Sequence, residues 1–306
     1  MSTPGTLFAI GGAEDKSGPR TVLRRFVDAA GGANSAICVV PTASSLGPEV
    51  VDVYAALFRR LGAGNVTSVR PSSRADADEQ AGADVVAAAT GIFLTGGNQL
   101  KLAQVINGTR TGTAIVEAFR NGAVVAGTSA GASIITEHMI AFGGAGVTPR
   151  MRASQPWEGL GLLTGAVIDQ HFGERGRYGR LLSLVAGSPA LLGIGIDENT
   201  AAVITPDHVL EVIGTGTVTI FDAHNALSNA YLAERGEPLL VSGVVTHSLP
   251  AGTRFDLVGR ALVGVHTQVP AREALGAIAA ENDLRALARS IEAENDELTR
   301  SQEDPA

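Results

Sequence analysis

The sequence predicts an α/β fold: a mainly parallel sheet covered by helices on both faces, doubly wound, with an antiparallel extension towards the C-terminus. Over the first two-thirds, short and nearly continuous apolar runs alternate with stretches of helical periodicity, the pattern of strands buried on both faces. After about Asn199 the helical periodicity stops, and short β-rich runs separated by Gly, Pro and Asp turns take over. Composition agrees: 306 residues, 45% hydrophobic, with 38 glycines, supply a sizeable core and many tight strand-to-helix turns.

In chain order, residues 6–10 read as a buried strand ending at Gly11-Gly12, and residues 20–30 as a helix closed by Gly31-Gly32. Residues 36–40 form a second strand stopped by Pro41, and 48–61 a one-faced helix stopped by Gly62. Further strands are expected at 66–69, 91–94, 123–126 and 166–168, and a helix over 133–140. Antiparallel ribbons follow at 201–204, 209–213, 218–221 and 239–245. Pro270 opens a last helix, with Leu275, Ile278, Leu284, Leu287, Ile291 and Leu298 at mostly helical spacing. This divides the chain into one α/β domain, 1–268, and a C-terminal helix with an acidic tail, 269–306. Sheets of this kind place ligands at the carboxyl ends of their strands.

The net charge of −8 argues against a global nucleic-acid footprint. The single cysteine, Cys38, sits in an apolar run, so neither an internal disulfide framework nor a Cys-based zinc site is available. There is no charged region followed by an apolar segment at the N-terminus, and no apolar stretch of ~20 residues. A cytoplasmic protein that does not engage a membrane is expected.

Val124-Val125-Ala126 leads into Gly127-Thr128-Ser129-Ala130-Gly131, with helical character after it. A nucleophile leaving a strand on such a turn adopts a strained backbone that small neighbours permit. The following helix N-terminus points the Ala130 amide at a developing oxyanion. A second donor is expected from Gly96-Gly97, after the apolar run ending Phe93-Leu94. Among six histidines, His171 stands at a strand's carboxyl end, in Asp169-Gln170-His171-Phe172, and is the best-placed base. His138 would lie two and a half turns along the helix after Ser129, pointing away. For the orienting acid, Asp197 and Glu198 end the apolar strand 191–196, and two adjacent acids at a strand end face opposite ways. Asp169 is a third candidate. Arg175, Arg177 and Arg180 place three guanidiniums close to His171, a local positive field suited to an acidic substrate.

Gly11-Gly12-Ala13-Glu14-Asp15-Lys16, Thr95-Gly96-Gly97-Asn98-Gln99, Gly127-Thr128-Ser129-Ala130-Gly131-Ala132, Asp169-Gln170-His171-Phe172 with the three arginines, and residues 193–201 together resemble the cyanophycinase and dipeptidase E family of serine peptidases in order and spacing. The resemblance runs from about residue 6 to 262. It implies a flavodoxin-like fold related to class I glutamine amidotransferases, and a homodimer. The implied reaction is hydrolysis of cyanophycin, a poly-aspartate backbone with arginine on each β-carboxyl, releasing β-aspartyl-arginine. It makes Ser129 the nucleophile, His171 the base and Glu198 the orienting acid. It gives Gly97 and Ala130 the oxyanion amides, and places Gln99, Asp169, Gln170, Arg175, Arg177 and Arg180 around the substrate. No metal or organic cofactor is implied. Asn98 departs from an aspartate common in the family. Glu14, Asp15 and Asp169 are the acids expected to meet the substrate's guanidinium, on charge alone. An aspartyl or isoaspartyl dipeptidase, and a non-catalytic small-molecule-binding module of the same fold, are the alternatives.

Overall fold

Four consecutive apolar residues, Leu7–Ile10, make a fully buried strand β1, around which the other elements are ordered. The computed structural model describes residues 3–265. The helix expected from Pro270 and the boundary at 268/269 lie outside them. Then come α1 (Thr21–Ala29), β2 (Ala36–Val40), α2 (Glu49–Arg60), β3 (Asn65–Ser68), α3 (Arg74–Ala77), α4 (Gln80–Ala87), β4 (Gly91–Leu94), α5 (Gln99–Ile106), α6 (Arg110–Arg120), β5 (Val124–Thr128) and α7 (Ala130–Ser133). In the remainder are β6 (His138–Gly143), β7 (Ser154–Glu158), β8 (Ala166–Gln170), α8 (Tyr178–Gly187), β9 (Leu192–Ile196), β10 (Thr200–Ile204), β11 (Val209–Gly214), β12 (Thr217–Asp222), β13 (Leu227–Ser228), β14 (Val241–Ser242), β15 (Val245–Pro250), β16 (Thr253–Asp256) and β17 (Ala261–Val265).

The strands do not form one mainly parallel sheet. The larger sheet has nine strands in the order β17-β16-β11-β10-β1-β5-β4-β2-β3. From β3 to β1 neighbours are parallel; β1 then pairs antiparallel with β10, and β10 with β11. β8 and β9, expected in the same sheet, are instead parallel partners in a second sheet ordered β15-β12-β9-β8. The tight turn between β9 and β10 carries the chain from one sheet to the other. Asp197 locks it: its carboxylate accepts from the Gly173 amide at 2.9 Å and from the Thr217 amide and hydroxyl at 3.0 and 2.7 Å.

Alternating side chains of β1 feed two cores, as strand geometry requires. Phe8 and Ile10 pack with the buried face of α1 (Val22, Leu23, Phe26, Val27) and with Tyr54 and Phe58 of α2; Leu7 and Ala9 join the larger cluster on the opposite face. Phe26, Phe58, Phe93 and Tyr54 form a ring cluster with centroids 4.7 to 5.8 Å apart, a spacing at which offset and edge-on aromatic pairs attract.

The helix expected over 133–140 stops at Ser133. Ile134, Ile135 and Thr136 are β-branched and poor at continuing a short helix. Their backbone pairs instead with the returning chain, Leu160 donating to Ile134 at 2.7 Å and Leu162 to Ile135 at 2.9 Å. His138 therefore lies on a strand, opposite Glu158.

The turn from β5 into α7 is closed by contact between glycines. A Cβ on Gly127 would stand 2.0 Å from the Gly131 carbonyl oxygen, and one on Gly131 would stand 2.2 Å from that of Leu94. Gly127→Ala is expected to lower stability by about 1–3 kcal/mol, as overpacking does, read as a lower urea midpoint at unchanged m-value.

Candidate active site

Three successive carbonyls at the end of β1 gather the site. Ile10 accepts from the Ser129 amide at 3.0 Å, Gly11 from the His171 amide at 2.8 Å, and Gly12 from the Asn199 amide at 2.8 Å. The ends of β5, β8 and β9 are thereby brought together although β8 and β9 belong to the other sheet. Gly12 lies at φ 104°, and a Cβ there would fall 2.3 Å from Cε1 of His171. Glycine at this position lets the imidazole lie against the chain.

Ser129 Oγ is 2.9 Å from His171 Nε2, and His171 Nδ1 is 2.5 Å from Glu198 Oε1. A carboxylate only accepts, so Nδ1 carries the proton and Nε2 is left to receive the serine hydroxyl's. Burial pulls the His171 pKa below its ordinary value, the hydrogen bond to Glu198 opposes that, and the Arg175 charge lowers it again. The ring is thus neutral at physiological pH, the form a general base requires. Ser129 has φ 51° and ψ −111°, and His171 φ 47°. Each is a strained conformation for a residue with a side chain, at a cost of about 1–3 kcal/mol. The adjacent acids divide their tasks: Asp197 ties the β9–β10 turn while Glu198 meets the imidazole. Among the described histidines, His171 is the one that reaches Ser129; His266 lies outside the described residues.

Ser129 and His171 open onto a cavity of about 350 Å3 lined also by Glu14, Lys16, Glu49 and Tyr54, with Leu46, Val50 and Val53 on its outer wall. Glu14 is buried and fully engaged. Its carboxylate accepts from the Thr128 hydroxyl at 2.6 Å and from the Tyr54 hydroxyl, and pairs with Lys16 at 3.0 Å. Burial, and then Glu14 itself, drive the Tyr54 pKa strongly upward, so its phenol stays protonated and donates. Asp15 turns away, its carboxylate taking the amides of Ser17, Gly18 and Arg20. Glu49 lacks any cation within ion-pair reach among the described residues and faces the cavity.

Two of the three arginines point inward. Arg180 grips Asp169 with Nε at 2.6 Å and with Nη2, and Arg177 Nη1 reaches the same carboxylate at 3.3 Å. All three side chains are buried. Burial brings the Arg177 pKa down to about 10, still cationic at neutral pH. Gln170 joins this cluster, accepting from Arg177 at 2.7 Å and donating to Ser133 Oγ at 3.4 Å. Asp169, Gln170, Arg177 and Arg180 thus lie outside the lining of the cavity, and Arg175 alone of the three is exposed. Gln99 is also spent on structure, its amide donating to the Ile140 and Ala141 carbonyls at 3.2 and 2.7 Å. Asn98 caps α5 by accepting from the Lys101 amide, a task that aspartate performs equally well. Glu49 and Tyr54 had no local signal in the sequence: they sit five residues apart on the apolar-faced helix α2, and only its packing against the sheet brings them to the cavity at the serine.

The profile of Peptidase family S51 matches residues 7–212, from β1 into β11 and across all of these motifs. The chain belongs to peptidase family S51. Cyanophycinases of Trichormus variabilis and of a Nostoc species are each 39% identical to it over 265 residues, covering 86% of this chain and 89% of theirs. That of Geminocystis herdmanii is 36% identical over 253 residues, 82% of this chain and 93% of its own. Among solved structures, a peptidase from an acI-B1 Actinobacterium superposes with a TM-score of 0.58 at 22% identity, over 83% of this chain and 97% of that one, a likeness of fold.

In this S51 peptidase the Asp169 cluster is a structural hazard if opened. Asp169→Asn would leave two buried guanidiniums without a counter-charge, and about 3–5 kcal/mol of stability should be lost, measured by urea denaturation.

Proposed function

We propose that this S51 peptidase hydrolyses cyanophycin, cutting the aspartyl backbone and releasing β-aspartyl-arginine. The carrying observation is the unbroken line Ser129–His171–Glu198 at the mouth of a cavity that presents both signs of charge. Each released unit of this polymer itself bears a carboxylate and a guanidinium. The cyanophycinase relatives support the same substrate.

Ser129, relieved of its proton by His171, attacks the backbone carbonyl, and Glu198 holds the imidazole and steadies its charge. The amides of Gly97 and Ala130 take the developing oxyanion; neither donates to another acceptor among the described residues, so both are available to it. His171 then protonates the leaving amine, and water resolves the acyl-enzyme by the reverse path. Glu49 meets the substrate guanidinium, while Lys16 and Arg175 attract its carboxylates. Asp169, Gln170, Arg177, Arg180 and Gln99 hold the walls that carry these groups. The reading extends to a flavodoxin-like, amidotransferase-related core and to a homodimer in the cytoplasm. An intact relay speaks against a silent binding module.

Purified protein incubated with cyanophycin should release β-aspartyl-arginine, and Ser129→Ala should lower the rate by at least about 10³-fold with its fold intact by circular dichroism. A wild type that leaves the polymer whole while splitting isoaspartyl dipeptides would transfer the assignment to a dipeptidase.

The activity should also show an acid limb. His171 must be unprotonated, so kcat/KM rises with pH and levels off above its pKa, which burial holds below the ordinary ~6.5 of histidine. Arg175→Gln removes a charge that disfavours the imidazolium, so the limb should move to higher pH. An unmoved limb would show that Arg175 does not act on the ring.

A further inference from the structure

Beyond the loop that follows His171 lies a second cavity, of about 500 Å3, walled by the β6–β7 connection and by the turn at Arg235-Gly236. Four arginines line it: Arg150, Arg152, Arg180 and Arg235. A neighbouring depression of about 400 Å3 shares Arg152, Ala153 and Arg235 with it and continues past Phe142 and Gln155. Together they form an elongated surface rather than a point site.

The charges at this surface are unusual for a chain of net charge −8. Arg180 is neutralised by Asp169, but Arg150, Arg152 and Arg235 have no carboxylate within ion-pair distance among the described residues. Among the described residues these three guanidiniums make one hydrogen bond, Arg150 Nη1 donating to the Gly236 carbonyl at 3.0 Å. Unpaired guanidiniums converging on a concavity present forked donors to carboxylates.

The walls are held rather than loose. Met151 donates to Glu237 at 2.8 Å, Gly236 to Met151 at 2.9 Å, Leu239 to Pro149 at 2.9 Å, and Ser183 Oγ to Arg150 at 2.8 Å. The same walls are joined to the candidate active site. Gly146 donates to Gly176 at 2.7 Å and Gly179 to Gly146 at 2.8 Å, while Arg180 bridges the Gly143 carbonyl at 3.1 Å to Asp169, two residues before His171.

We propose that this arginine-lined cavity holds the polymeric substrate at units outside the one being cut, by taking the free α-carboxylates of its arginyl residues. The inference rests on the polymer reading above and deepens it. Arginine joined to the aspartyl β-carboxyl through its α-amino group keeps its own carboxylate, so the polymer is a ladder of carboxylates, each followed by a guanidinium. Exposed Glu234 and Glu237, flanking Arg235, match the second member of each pair. The 350 Å3 cavity at Ser129 has room for little beyond the unit released, and the remainder of the chain needs a surface of its own. Holding it there raises the local concentration of the next scissile bond.

Charge reversal at two exposed residues, Arg152→Glu with Arg235→Glu, tests this without touching the relay. In the Ser129→Ala background, co-sedimentation with cyanophycin in 0.1 M salt should weaken by about tenfold, and the parent's binding, but not the variant's, should fall further in 0.5 M salt. In the active enzyme the polymer KM should rise by a similar factor at unchanged kcat. Turnover of a substrate of two β-aspartyl-arginine units should stay within about twofold, since it leaves the cavity empty. Arg152→Gln with Arg235→Gln, which adds no repulsion, should give an intermediate KM. Unaltered polymer binding and KM would overturn the proposal, as would a parallel loss on the short substrate. If the wild type fails to cleave the polymer, the activity reading falls by itself; the sedimentation comparison still decides the cavity, weakened binding upholding it and equal binding sinking it.

Discussion

The arrangement depends on a run of three carbonyls, Ile10, Gly11 and Gly12, where β1 runs out of sheet. A strand end ordinarily leaves such groups to water. Here each accepts an amide from a different segment: Ser129, His171, Asn199. The hydrogen bonds are individually modest, of the order of 1 kcal/mol. Their joint effect is positional, because a one-residue slip of β1 would move every partner at once. Catalytic groups need placement within fractions of an ångström, and one rigid, fully buried strand supplies a common reference for groups from two sheets.

Around that reference, two buried carboxylates do opposite electrostatic jobs to the one that faces His171. Glu14 sits beneath Thr128 and fastens the residue before the serine through Tyr54 and Lys16. Asp169 lies before His171 and collects Arg177 and Arg180. Burying such charges is expensive unless each is matched and hydrogen-bonded, and both are. Glu198, by contrast, keeps about a third of its side chain exposed; its hydrogen bond raises the His171 pKa, and burial of the ring, helped by the Arg175 charge, outweighs it. The strain at Ser129 and His171 is borne by these fixed surroundings.

Much of this was legible in the sequence, for identifiable reasons. The buried parallel strands are continuous apolar runs, and α1 and α2 end where their glycines stand. The serine turn, the strand-end position of His171 and the opposed faces of Asp197 and Glu198 follow from local geometry, with the family resemblance favouring Glu198. The helix expected after Ser133 fails because three β-branched residues found backbone partners in the returning segment 160–163, a non-local effect. The division into two sheets was hidden because β8 and β9 look alike whichever sheet receives them. The inward turn of Arg177 and Arg180 was hidden for a related reason: a run of arginines reads as a surface field until a buried carboxylate is seen beneath it. Gly11-Gly12 registered as a turn and as part of a motif, but not as the point where three loops meet.

The hairpin of β6 and β7 enters the chain between Ser129 and His171, yet it makes no hydrogen bond to the three carbonyls of β1. Exposed side chains on its connection, such as Arg152, can change charge while that strand end keeps its three partners, although Gly146 ties the backbone of the connection to Gly176 and Gly179. On the proposed polymer reading, the relay and the hold on the uncut chain belong to different parts of one polypeptide. A change of charge at Arg152 then alters, on that same reading, how the uncut chain is held and leaves the carbonyls that align Ser129 and His171 with the same partners.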